Sequence, residues 1–108
     1  MILKIDTTKH HEVKVELTDP KRGKIQKLVE KQKVGSQVLS PMIVKILKRN
    51  KLSFKDLTAV EVNPGPGSFT GTRVGVAVAN ALGFALDIPV NGKKGKIVLP
   101  IYEKSKFD

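Results

Sequence analysis

Residues 63–75 read NPGPGSFTGTRVG and join a predicted short strand, Leu57 to Val62, to a predicted helix that runs to about Leu86. A glycine-rich loop that opens a helix can bind phosphate, because the first amides of a helix point at anions. A Walker loop needs a lysine after its last glycine, and none follows Gly71. The dinucleotide fingerprint Gly-x-Gly-x-x-Gly is missed by one residue. The loop alone therefore does not predict nucleotide binding.

The helix after the loop carries small residues at every fourth position, namely Gly71, Gly75, Ala79 and Gly83. Glycine inside a helix costs about 0.5–1 kcal/mol relative to alanine, so the stripe predicts a close backbone approach. That approach could be to the protein's own sheet or to a helix of another chain. The other faces of this helix are also apolar (Val74, Val78, Leu82; Val76, Phe84), so it must pack against other elements on more than one side. One sheet cannot do this, and we therefore infer a partner helix from another chain.

The rest of the chain predicts a single α/β domain in the order β-β-β-α-β-α-β, with a mixed sheet of about five strands. Leu3 and Ile5 begin a strand, and residues 12–17 alternate between polar and apolar, as in a half-buried strand. A turn at residues 18–23 leads to a third strand over 25–31, where Leu28 and Val29 suggest a bulge. A brief strand is expected at residues 88–90, and a last strand at the edge of the sheet is expected at residues 97–101.

The first helix is predicted to begin at Ser36 or at Ser40, since Ser40 followed by Pro41 suits a cap and first turn. Its apolar residues recur at helical spacing: Leu39, Met42, Ile43, Ile46 and Leu47.

The charge of the 108-residue chain is +10 and lopsided. Residues 1–55 hold 14 basic and 5 acidic side chains. Such a surface could attract phosphate backbones, although one tyrosine and four phenylalanines leave few stacking platforms for bases. The absence of cysteine excludes disulfides and thiolate metal sites. No apolar run approaches the roughly 18 residues of a membrane span, which predicts a cytoplasmic protein without a membrane partner.

Catalytic residues are not predicted. Adjacent His10 and His11 would point in opposite directions on a strand, and a turn pair is favoured over a metal site. Ser68 and Thr70 are better explained as helix caps than as nucleophiles. Asp6 could approach a phosphate-bound metal, but a hydrogen-bonded turn aspartate is commoner.

Two stretches, Ile5-Asp6-Thr7-Thr8 and residues 65–75, resemble the TsaB (YeaZ) family, whose hallmark is Gly-Pro-Gly-Ser-Phe-Thr-Gly followed by an aliphatic residue, Arg, an aliphatic residue and Gly. Supporting similarity runs through residues 36–57 and 88–90. The resemblance covers about residues 1–92, and residues 99–102 are similar to the family's C-terminal tail.

The resemblance implies an actin/Hsp70/sugar-kinase-like (ribonuclease H-like) lobe and a role in making threonylcarbamoyladenosine beside the anticodon of tRNA. Proteins of this family are regarded as non-catalytic scaffolds that dimerise with themselves or with the catalytic subunit TsaD through helices of the first lobe. A TsaE-like ATPase joins the complex.

The chain also departs from the family pattern. Almost nothing stands where a second lobe would follow, so we expect a minimal one-lobe version: a lobe over 1–92 and a tail-like segment over 93–108. The His-x-x-x-His motif of the catalytic relative is missing, because residues 35–39 read GSQVL. No metal or cofactor is expected, and ATP would bind only if a partner completes the site. The vestigial phosphate-loop candidates are Asp6, Thr7, Thr8, Gly65, Gly67 and Ser68.

We therefore predict a scaffold for a TsaD-like subunit, a homodimer when alone, with tRNA contacted indirectly or by weak electrostatic attraction. The predicted interface comprises Gly71, Arg73, Val74, Gly75, Val78, Ala79 and Leu82, with Met42, Ile43, Ile46 and Leu47 beside them. One alternative is a basic tRNA-binding module that uses the lysines of residues 21–33 without TsaD. Another is a stand-alone nucleotide-binding enzyme.

Overall fold

The computed structural model describes residues 1–31 and 35–101, and the side chains of residues 35–37 lie outside this description. Three antiparallel strands open the chain: β1 (Ile2–Asp6), β2 (Glu12–Asp19) and β3 (Gly23–Lys31). Strict alternation in β1 and β2 buries one face of each strand, as the period-2 pattern predicts. The register shifts between Leu17 and Thr18 and not at Leu28 and Val29, so the predicted bulge position is wrong.

Helix α1 (Gly35–Arg49) starts before either predicted cap. Ser36 and Ser40 both lie inside it, and Pro41 lies within the helix instead of in its first turn. Apolar packing explains this, because Leu39 and Met42 are both buried and hold the segments on either side of Pro41 against the core.

Strand β4 (Ala59–Val62) pairs in parallel with β1 and is followed by helix α2 (Phe69–Leu86). The sheet order is β3-β2-β1-β4, and both helices pack on one of its faces and against each other. Between the layers lies one core, with contributions from Leu3, Ile5, Val15, Leu17 and Val60 of the sheet. The predicted α/β fold with a mixed sheet is confirmed.

Only part of the predicted fifth strand forms. Val90 makes a single parallel bridge to Val60, and Asn91 then turns the chain away with a φ of 51°. The Asn91 side chain continues the pairing instead, because its amide accepts from Val62 N at 2.8 Å and donates to Val62 O at 3.0 Å. Residues 97–101 form no strand, and Val98 is held by Asn80 of α2.

Helix α2 is long and apolar enough to cross a membrane by length and composition alone. Its 18 residues reach a mean hydropathy of 1.2, with 28 % of that window buried in the protein. The same length and composition occur in core helices, and α2 packs against β4, α1 and β1.

Candidate functional site

The Asp6-Thr7-Thr8 turn and the loop of residues 63–71 meet beyond the carboxyl ends of β1 and β4. We call this region the loop corner. Asn63 N donates to Ile5 O at 2.9 Å, and Ser68 N donates to Thr8 O at 2.9 Å. A Cβ atom at Gly67 would overlap Thr8, so the loop reaches the turn only because residue 67 has no side chain. The structure thus brings together all six predicted phosphate-loop candidates.

Asp6 is the charged centre of the loop corner. Its Oδ1 accepts from Thr8 N at 3.0 Å and Thr8 Oγ1 at 2.7 Å, and its Oδ2 accepts from Asn63 Nδ2 at 3.2 Å. Partial burial by itself raises the pKa of Asp6, but the hydrogen bonds from Thr8 and Asn63 and the charge of Lys14 outweigh burial. The net effect lowers the pKa of Asp6 below 3.8 and keeps the carboxylate ionised.

Three amides at the loop corner and the start of α2 have partners within the loop. Gly65 N donates to Asn63 Oδ1 at 3.1 Å, and Gly71 N donates to the capping Ser68 Oγ at 3.1 Å. Thr72 N donates to Ser68 O at 2.9 Å. These hydrogen bonds join α2 to the sheet. That ATP binds here only if a partner completes the site stays a prediction.

The small-residue stripe of α2 faces the protein's own sheet. A Cβ at Gly71 would overlap the backbone of Thr7, one at Gly75 would overlap Thr7 Oγ1, and one at Gly83 would overlap Val90. Thr7 Oγ1 also donates to Gly71 O. Ala79 is fully buried. The prediction that Gly71, Gly75 and Ala79 contact a partner is therefore wrong, because Gly71 and Gly75 lie against Thr7 and Ala79 is buried in the core.

Four other predicted interface residues are also covered within the chain. Met42, Ile43, Ile46 and Leu47 of α1 belong to the core, each at most 4 % exposed. Of the predicted set, Arg73 is exposed, and Val74, Val78 and Leu82 are half-buried at the margin of the core.

The opposite side of α2 is open to solvent. It carries Arg73, Ala77, Ala81 and Phe84, which we call the outer face of α2. The Phe84 ring is 92 % exposed, and the Arg73 guanidinium lies 5.2 Å from the centroid of the Phe69 ring. Ala77 and Ala81 were missed from the sequence, and Phe84 was noted on an apolar face of the helix but left out of the predicted interface. The signal was available for Arg73, Ala77 and Ala81, since residues two positions along from the small-residue stripe lie about 200° around the helix, and Phe84 lies about 180° around from Gly75.

The two histidines lie in the turn before β2, and their ring centroids are 4.2 Å apart. The predicted turn pair is confirmed. Within residues 1–31 and 35–101, no three His, Cys, Asp or Glu side chains gather as a metal site would require.

The sheet order β3-β2-β1-β4, with β2 antiparallel to both its neighbours and β4 parallel to β1, is that of the first four strands of a ribonuclease H-like lobe, the class that includes the actin/Hsp70/sugar-kinase proteins. The model of the family "TsaD: tRNA N6-adenosine threonylcarbamoyltransferase" matches residues 23–92. The chain therefore belongs to that family, and its relatives there carry the names TsaB and YeaZ. The resemblance predicted from residues 5–8 and 65–75 is confirmed.

Two relatives are named tRNA threonylcarbamoyladenosine biosynthesis protein TsaB. The one from Buchnera aphidicola subsp. Schizaphis graminum is 37 % identical over 93 residues, covering 85 % of this chain and 43 % of the relative. The one from Haemophilus influenzae is 41 % identical over 59 residues, covering 55 % of this chain and 25 % of the relative.

A solved structure, YeaZ from Pseudomonas aeruginosa, superposes with a TM-score of 0.75 at 30 % identity, covering 82 % of this chain and 41 % of that one. The chain thus spans about two fifths of the length of the Buchnera and Pseudomonas proteins.

Proposed function

We propose that the chain acts in tRNA threonylcarbamoyladenosine biosynthesis as a non-catalytic scaffold for a TsaD-like catalytic subunit. The names of the two TsaB relatives and the family match support the pathway. The internal bonding of the loop corner supports a structural role for residues that in a catalytic lobe would face a nucleotide. A TsaE-like ATPase would join the same complex.

The outer face of α2 is the observation that carries the scaffold proposal. Phe84 is a large apolar side chain that the chain leaves almost wholly in water. Burying such a ring contributes about 1.5–3 kcal/mol, which an association can use. Ala77 and Ala81 beside it are small, so another helix can come close to the α2 backbone. Arg73 provides a charged group for recognition at the start of the same face.

The same face serves a second copy of the chain when the catalytic subunit is absent. A symmetric pair of outer faces would bury both Phe84 rings, and the half-buried Val74 and Val78 would flank the contact. We propose that this self-association is weaker than association with the catalytic subunit.

The test is the variant Phe84→Ser, mixed with the TsaD-like subunit of the same organism and studied by titration calorimetry. Because Phe84 is 92 % exposed, its loss leaves the fold intact, and we expect affinity to fall at least about tenfold. The matched control is Ile25→Ser, which removes an exposed apolar residue of β3, far from α2. Wild-type affinity in the Phe84 variant, or equal losses in both variants, would overturn the proposal.

A further inference from the structure

Two basic segments that are distant in sequence meet at one end of the sheet. Residues 19–24 form the β2–β3 turn, and residues 48–56 run from the last turn of α1 through the 3₁₀ turn Phe54–Asp56. Asn50 Nδ2 at the end of α1 donates to Gln26 Oε1 of β3 at 2.7 Å, which ties α1 beside the turn. Thr58 N donates to Met1 O at 2.8 Å and holds the second segment at the amino end of β1. We call these two segments the basic end.

The basic end concentrates charge. Its seven cations are all exposed: Lys21, Arg22, Lys24, Lys48, Arg49, Lys51 and Lys55. Against them stand Asp19 and Asp56, so the net charge is +5, half of the chain's +10. The residues involved lie at the opposite end of the strands from the loop corner and share no member with the outer face of α2.

Both carboxylates are already engaged by the protein. Asp19 Oδ1 accepts from Lys21 N at 2.8 Å, and Asp56 Oδ2 accepts from Ser53 N at 2.7 Å. Within the described part of the chain, Lys24 is the one cation of this group in an ion pair, with Glu16 at 3.7 Å. Six unpaired cations on one end repel each other, and a bound polyanion would remove that repulsion.

We infer that the basic end binds the sugar-phosphate backbone of RNA without reading bases. The choice of RNA among polyanions rests on the proposed role in tRNA modification. Five of the seven cations are lysines, which act as point charges toward phosphate. Phe54, 37 % exposed, is the one aromatic ring in the two segments, so base stacking contributes little. The surface differs from the predicted module of residues 21–33, because Lys27 and Lys31 extend along β3 away from this end, and residues 32–33 lie outside the described residues.

The experiment measures binding of an unmodified tRNA transcript to the full chain by fluorescence anisotropy between 50 and 300 mM KCl. The test variant combines three changes: Arg22→Gln in the β2–β3 turn, Arg49→Gln in the last turn of α1 and Lys55→Gln in the 3₁₀ turn. The control variant is Lys31→Gln, Lys93→Gln and Lys96→Gln, which removes the same charge from exposed positions elsewhere. We expect the test variant to bind at least about tenfold more weakly and to lower the slope of log K against log[KCl] by about 2–3. The control should change the affinity less than threefold.

Equal losses in both variants would overturn the inference in favour of diffuse attraction by net charge. Failure of the wild-type chain to bind the transcript at 50 mM KCl would overturn it as well. So would binding to phosphatidylserine vesicles that the test variant loses while tRNA binding stays unchanged.

The inference and the proposed function fail separately. The triple test variant should retain its affinity for the TsaD-like subunit, and Phe84→Ser should retain tRNA binding. If Phe84→Ser loses subunit binding and the wild-type chain does not bind tRNA, the scaffold proposal stands and the inference of RNA binding at the basic end is overturned. If Phe84→Ser keeps its subunit affinity and tRNA binds at the basic end, only the scaffold proposal is overturned.

Discussion

Thr7 is the residue that sets how closely α2 approaches the sheet. It is 1 % exposed, donates to Gly71 O and lies directly under Gly75. A methyl group at Gly75 would overlap Thr7 Oγ1, so the two residues are matched in size.

Gly75→Ala should therefore destabilise the protein although alanine is the better helix former. Overpacking costs about 1–3 kcal/mol, and the helix preference returns up to about 1 kcal/mol. Adding Thr7→Ala should relieve part of the overlap, so the double variant should lose less stability than the two single variants together. Urea unfolding of all four proteins measures this, and strict additivity would show that Thr7 is not the obstacle.

Asp6 makes the stability of the loop corner depend on pH. The folded pKa lies below 3.8, because the hydrogen bonds from Thr8 and Asn63 outweigh burial, which acts in the opposite direction. A carboxylate with a depressed folded pKa contributes stability above its unfolded pKa and loses that contribution as pH falls through the folded value. The stability difference between wild type and Asp6→Asn should thus be largest at neutral pH and shrink below about pH 3.8.

Carbon-detected NMR titration provides the direct check on Asp6. In Thr8→Ala, which removes the 2.7 Å hydroxyl bond but keeps the backbone amide, the pKa of Asp6 should rise relative to wild type. An unchanged pKa would assign the shift to the Thr8 backbone amide, Asn63 and Lys14 instead.

At the scale of elements, Asn80 fastens the segment after Asn91 to α2. Its side chain donates to Val98 O at 2.9 Å and accepts from Val98 N at 3.0 Å, like a strand pairing made by one residue. Asn91 binds Val62 in the same way. Two asparagines therefore hold chain that forms no strand of its own.

Asn80→Ala should abolish the protection of the Val98 amide against hydrogen exchange, because that amide loses its acceptor. Amides of β1 and β2 should keep their protection. Asn50→Ala, which removes the asparagine that follows α1, is the matched control and should leave Val98 protected. Protection of Val98 in Asn80→Ala would mean that packing of residues 97–101 holds the segment.

The elements divide into those that local pattern could predict and those that tertiary contacts decide. Alternation in residues 2–6 and 12–19 was sufficient for β1 and β2, because one buried face determines the register. The start of α1 was predicted wrongly because core contacts of Leu39 outweighed the cap-and-first-turn signal of Ser40 and Pro41. The fifth strand was overestimated because the side chain of Asn91 replaces a backbone ladder, which no pattern in the sequence reveals.

The candidate sites show the same division. The close approach implied by the glycines of α2 was predicted correctly, but the facing surface was not, since spacing alone cannot distinguish the chain's own sheet from another molecule. The loop corner could be predicted as a group only through the family resemblance. The basic end could be predicted only in part: the alternative module of residues 21–33 includes Lys21, Arg22 and Lys24, but the residues of 48–56 are brought beside them by the fold.

At the scale of the whole molecule, the concentration of charge predicts how stability responds to salt. Among the described residues, six cations of the basic end have no ion pair, and they repel each other more in the folded chain than in an expanded one. This repulsion falls with ionic strength, because the Debye length shortens from roughly 10 Å at 0.1 M to 3 Å at 1 M. The melting temperature should therefore rise between 50 and 500 mM NaCl. The test variant (Arg22→Gln, Arg49→Gln, Lys55→Gln) should have a higher melting temperature than wild type at 50 mM NaCl, and its melting temperature should rise less with added salt. The control variant (Lys31→Gln, Lys93→Gln, Lys96→Gln) should keep most of the wild-type response to salt. Calorimetry of the three proteins at both salt concentrations makes the comparison. Parallel salt responses in all three would mean that the positive charge acts as a diffuse field over the surface, with no special contribution from the end where α1 meets the β2–β3 turn.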